Sequence, residues 1–203
     1  LQHITRPRDE KVRVLLQGFT DTRMATSSSQ YERQCKKFRR LIFGAAPDIP
    51  RGGAEWRLLH IMHTSVTAGA SAEAGNHWVL LEISITRGHI QPYVYDGLGL
   101  TEPHFSKAMD IASRVAATGI AGPGPVVSDV LYPTTPTQHE HYQCGLLALL
   151  AMHQRAQKGA QAKGEGLCHG TSRQHWDVRI RNILTPILLL ARDHDQHICA
   201  AFE

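Results

Sequence analysis

His77-Trp-Val-Leu-Leu-Glu-Ile-Ser-Ile-Thr86-Arg87-Gly88-His-Ile90-Gln-Pro-Tyr-Val-Tyr95-Asp96-Gly97 is the stretch that decides the fold. Residues 77–86 are rich in Val, Leu and Ile and read as a strand. Arg87-Gly88 predicts a tight turn, and Ile90 to Tyr95 the return strand of an antiparallel hairpin or meander. Asp96-Gly97 ends that second strand. In such a hairpin the start of one strand lies beside the end of the other. His77 and Asp96 are therefore expected at one edge of the sheet, with side chains that can meet.

A further strand is expected upstream at Trp56 to Thr64, where Leu58, His60 and Met62 alternate with Leu59, Ile61 and His63. On a strand His60 and His63 face opposite ways, which argues against a shared metal. Val12 to Gln17 reads as a short helix or strand. After Thr26-Ser-Ser-Ser29, a helix is expected over Gln30 to Phe43. Its outer face carries Arg33, Lys36, Lys37, Arg39 and Arg40, a solvated basic face or a dock for an acidic partner.

Downstream, Thr101-Glu-Pro103 starts a helix to Ala117, and Val126 to Leu131 reads as a strand. Pro133 to Gln143 is a loop. It runs into Cys144-Gly145 and the apolar Leu146-Leu-Ala-Leu-Leu-Ala-Met152, read as a helix over 145–157. Lys158 to Gly170 reads as a surface connection, and Gln174 to Asp193 as a helix that Pro186 ends or kinks. The order of elements predicts an α+β fold, a central mixed or antiparallel sheet flanked by helices. Residues 1–203 are expected to form one domain: an N-terminal part to residue 55, a core over 56–157 and a C-terminal helix over 158–203. It reads as a piece cut from a longer chain.

Composition sets bounds. Charged residues make up 20% and hydrophobic ones 42%, ordinary for a globular protein. The net charge of +4 is too small and scattered to argue for nucleic acid, and no apolar run suggests a membrane span. Cys35, Cys144, Cys168 and Cys199 lie far apart without a C-x-x-C pair, which favours a reducing, intracellular setting. No cofactor is expected.

Cys144 falls where a helix N-terminus is expected. The exposed N–H groups and the positive end of the dipole there stabilise a thiolate. A buried core cysteine is the other reading of that residue alone. With His77 and Asp96 the pattern becomes that of a nucleophile, a base and a carboxylate that orients the base. The Cys144 backbone N–H and the Gln138 amide are candidate donors to an oxyanion.

These residues resemble the Ulp/SENP family of ubiquitin-like-protein proteases and its relatives, the adenovirus-type proteases and bacterial deubiquitinase effectors. The resemblance rests on His77-Trp78 before an apolar strand, Tyr95-Asp96-Gly-Leu-Gly99, and Gln138-x5-Cys144-Gly145 before a helix. It covers residues 56–157, in the chain order His, Asp, Gln, Cys. It implies a cysteine protease or isopeptidase cleaving after the C-terminal Gly-Gly of SUMO, ubiquitin or a similar modifier. His77 would be the base, Asp96 its orienter, Cys144 the nucleophile and Gln138 the oxyanion donor. Trp78 and Gly145 would lie on the substrate side, with Trp78 as the lid of a channel for the Gly-Gly tail. Action in the nucleus or cytoplasm, or as an effector delivered into a host cell, follows from the same resemblance. Gln143 departs from it, standing where the family usually has Asp.

Three other readings compete. One is an acetyltransferase of the YopJ type, another an inactive module that binds a ubiquitin-like protein. The third is a zinc site built from His139, His141, Cys144, Cys168 and His169, whose spacing fits no compact pair-plus-pair pattern.

Overall fold

The structure is a computed structural model. It describes residues 12–15, 33, 36, 40, 55–64, 77–99, 102–138, 144–159, 162–167 and 182. Five strands form one sheet in the order β1 (Val12–Leu15), β2 (Trp56–Thr64), β3 (His77–Thr86), β4 (His89–Tyr95) and β5 (Val126–Val127). The strands β2, β3 and β4 are antiparallel, whereas the outer pairs β1–β2 and β4–β5 are parallel. The fold is α+β with a mixed sheet.

The hairpin forms where its sequence places it. Gly88 takes φ +77° in the turn, a region that favours glycine, and Ile85 pairs with Ile90 beside it. Val79, Leu81, Ile83 and Ile85 bury against one helix, α1 (Glu102–Ala117), together with Leu58, Met62, Ile90 and Val94. That helix contributes Ala108, Ile111, Ala112 and Val115, the i, i+3, i+4, i+7 spacing of a single stripe. Leu59, Leu80, Tyr93 and Tyr95 face the other side. There Ala151, Met152 and Ala156 of α2 (Cys144–Ala156) cover them. A sheet with a helix on each face thus holds two cores, and both helices begin near the end of the sheet where β3 starts and β4 stops.

Two expectations need correction. The strand expected over Val126 to Leu131 pairs only at Val126–Val127; Leu131 returns as an isolated bridge to Tyr93. Pro125 and Pro133 bracket this segment, and Gln91 fills part of the gap by donating to the Asp129 carbonyl at 2.6 Å. The expected surface connection after α2 is partly packed. Leu167 is buried, and Gly164 lies so close to Tyr93 that a Cβ there would stand 2.3 Å from the ring.

Val12–Leu15 resolves as a strand rather than a helix. Of the basic face, Arg33, Lys36 and Arg40 are helical and exposed. Of the C-terminal helix expected over 174–193 only Asn182 is described, helical and exposed; the loop over 67–75 lies outside the described residues. Among the described residues no helix is long and apolar enough to cross a membrane.

Candidate active site

β3 opens on His77 and β4 closes one residue before Asp96. The two side chains meet: His77 Nε2 is 2.8 Å from Asp96 Oδ1, and both residues are buried. Asp96 also accepts the Leu98 backbone N–H at 2.9 Å on the same oxygen, so the Asp-Gly-Leu-Gly turn wraps its own carboxylate. Sequence reasoning missed the third partner. His104, in the first turn of α1, places Nε2 at 3.1 Å from Asp96 Oδ2 and is itself 1% exposed. Its position four residues before Ala108 put it on the apolar stripe of the helix, the one available signal.

Burial pushes the Asp96 carboxyl up. The hydrogen bonds from His104, His77 and the Leu98 N–H outweigh it and hold the group well below the usual carboxylate range. Asp96 is thus a fixed carboxylate. A bond to it requires an N–H at Nε2 of His77. In that neutral tautomer Nδ1 is the lone-pair nitrogen, the one able to take a proton from a thiol.

Cys144 is the first residue of α2, buried and outside any disulfide. A Cβ at the adjacent Gly145 would lie 3.7 Å from Trp78 Cδ1. The Cys-Gly pair therefore packs on the residue that follows His77. The Trp78 ring also lies against His63, with centroids 4.5 Å apart.

A small cleft runs past these groups. Trp78, Gly97, Gln138, Cys144 and Leu147 are among the residues that line it. His77 and Asp96 are not part of that wall; each directly precedes a residue that is.

Gln138 is carried to the cleft by the loop 133–138, which is pinned to the Asp96 turn. The Thr135 hydroxyl donates to the Asp96 carbonyl at 2.6 Å, and the Gln138 N–H donates to the Gly97 carbonyl at 2.8 Å. The close approach favours glycine at 97. A Cβ there would stand 3.1 Å from the Pro136 carbonyl oxygen and 3.2 Å from Gln138 Cβ.

One ring nitrogen each of His77 and His104 and an Asp96 oxygen lie within 4.8 Å of one another. That donor set could take a divalent metal, but here its members are engaged as hydrogen bonds. His139, His141, Cys168 and His169 of the alternative zinc site, and Gln143, lie outside the described residues.

No family model and no curated protein matches this chain. Solved structures of the Legionella pneumophila effector protein RavZ do. One is 14% identical with a TM-score of 0.44, over 88% of this chain and 50% of RavZ. The structure of RavZ in complex with human LC3B is 14% identical with a TM-score of 0.43, over 88% and 46%. The chain spans about half the length of the solved chains it matches. The site geometry, rather than this likeness, carries the functional reading.

Proposed function

We propose that this chain is a thiol-dependent peptidase or isopeptidase that cleaves after the C-terminal Gly-Gly of a ubiquitin-like protein. The observation that carries this reading is the buried 2.8 Å bond between His77 and Asp96, beside a cleft that Cys144, Gln138 and Trp78 line together. Cys144 Sγ attacks the carbonyl carbon of the last glycine, and the thiol proton passes to His77. The Cys144 N–H and the Gln138 amide donate to the oxyanion of the tetrahedral intermediate. His77 then gives its proton to the leaving lysine amine, and water hydrolyses the thioester to release the glycine carboxylate and the thiol.

Trp78 on the wall of the cleft supports the preference for glycine. A tail without side chains can lie flat beneath an indole, whereas a Cβ meets it. Leu98 and Phe105 are exposed apolar side chains next in line to the Asp96 turn and His104, and would offer a folded protein substrate something to bind.

The test is covalent labelling. Ubiquitin, SUMO and LC3B, each carrying a C-terminal electrophile, are incubated with wild type and with Cys144→Ala. Labelling of wild type alone supports the reading and names the modifier. If no probe reacts while acetyl-CoA acetylates the protein, the acyltransferase alternative replaces it.

A further inference from the structure

We propose that His104 is a positioning residue for the Asp96–His77 pair, so that two imidazoles clamp the one carboxylate of the site. The inference rests on the thiol-peptidase reading and assigns a role to a residue which that reading leaves idle.

His104 stands where its helix would otherwise present an apolar side chain, in line with Ala108, Ile111 and Val115. A buried imidazole there is costly unless its polar atoms are used. One of them is: Nε2 meets Asp96 Oδ2 at 3.1 Å. The division of labour on the carboxylate is clear. Oδ1 takes His77 and the Leu98 N–H, and Oδ2 takes His104. Without His104, Oδ2 would lose this donor in a buried site, and the carboxylate could turn about its Cβ–Cγ bond to seek another. His77 would turn with it.

The tautomer is fixed as well. His104 Nδ1 is buried with no hydrogen-bond partner among the described residues. A proton there would have no acceptor, so the proton belongs on Nε2, where Asp96 receives it. The two rings lie 5.5 Å apart, tilted by 35°, each donating to its own oxygen. Because α1 carries His104, the clamp also ties the catalytic turn to the helix that closes the first core. No step of the chemistry passes through His104; it holds Asp96 so that His77 keeps its lone pair toward the thiol.

Two variants isolate the bond. The amide nitrogen of Gln reaches the place of Nε2, while that of Asn reaches only the place of Nδ1. The readout is the rate at which iodoacetamide alkylates Cys144, followed on the Cys144 peptide by mass spectrometry across pH. It needs no substrate. In His104→Asn the rate near pH ~6 should fall about 10-fold, the worth of one hydrogen bond to a charged group, and approach wild type in alkali. His104→Gln should restore it to within about threefold.

A folded His104→Asn with the wild-type profile, or a Gln variant no better than Asn, overturns the proposal. His77→Ala separates the two claims. If it slows alkylation while His104→Asn does not, only the role of His104 fails. If it too leaves the profile unchanged, the Cys144–His77 pair fails and the proposal with it. Nitrogen-15 spectra of the wild-type imidazoles provide a check free of folding effects: both rings should be protonated at Nε2 at neutral pH, and an Nδ1–H tautomer of His104 overturns the clamp.

Discussion

Of the buried carboxylates on this sheet, Asp96 and Glu82 do opposite work. Asp96 directly follows β4, and two imidazoles and one backbone N–H are among the groups that hold it. Glu82, in the middle of β3 and 0% exposed, is held by two guanidinium groups. Arg57 Nε donates to Oε1 at 2.8 Å, Arg155 Nε to Oε2 at 2.8 Å and Arg155 Nη2 to Oε1 at 3.1 Å. The Tyr95 hydroxyl and the Gly164 N–H complete the shell. Burial pushes the Glu82 carboxyl up, and the hydrogen bonds and charges of the two arginines overcome it and lower it.

The difference lies in the donors. Arginine gives its protons to a bond and never releases them. The surplus donors of Arg57 go to the carbonyls of Lys158 and Gly159, so the cluster staples the end of α2 and the chain beyond it to the sheet. Imidazole keeps a second nitrogen whose proton can move. A carboxylate saturated by arginines is a pin, while one clamped by histidines leaves a base ready to act.

The comparison can be broken in four ways. The largest effect is expected for Asp96→Asn. An amide offers one oxygen and one NH₂ to two imidazole donors, so one ring must lose its acceptor or change tautomer. Turnover should drop about 10⁴-fold, as it does when a triad carboxylate becomes an amide. A loss below tenfold in single-turnover assays would place Asp96 outside the chemistry.

Next comes Glu82→Ala, which strands two buried guanidinium groups. It should cost about 3–5 kcal/mol in denaturant melts and leave turnover per folded molecule within about threefold. Stability like wild type would show that the cluster is no pin. Gln138→Ala should slow the chemical step by about 10²-fold, the usual effect of removing an oxyanion donor. An unchanged rate would remove Gln138 from the site.

The smallest effect is on pH. Asp96 and Glu82 both have lowered carboxyl pKa values in the folded protein. The stability each contributes is present above the unfolded carboxylate pKa, near about 4, and is lost as pH falls through the folded value. Acid melts of Glu82→Gln should therefore depend less on pH than those of wild type below about pH 4. Equal slopes would contradict the shift assigned to Glu82.

Much of this was legible in the residues. The run of Val, Leu and Ile over 77–86 and the Arg87-Gly88 turn put His77 and Asp96 at one end of a hairpin because antiparallel pairing is local and its register follows from the turn. Cys144 was legible as a helix start because a polar loop changes to an apolar run there. The Glu82 cluster was not. Its partners lie 25 and 73 residues away, and Arg155 reads from sequence as an ordinary basic residue in the last turn of a helix. The hint was a charge inside an otherwise apolar strand. Gly97 read as half of a turn dipeptide; that it also makes room for Pro136 and Gln138 depends on a loop about 40 residues later.

What the sequence determined by itself is what short-range physics controls: the hairpin, the stripe of α1, and the residue types able to serve as nucleophile, base and carboxylate. Only the tertiary structure decided which buried charges pair, that β1 and β5 join in parallel, and that His104 reaches across to Oδ2 of Asp96. Those choices depend on the packing of elements distant in sequence. Burial makes an unpaired polar group so costly that each must find its partner wherever the fold brings one.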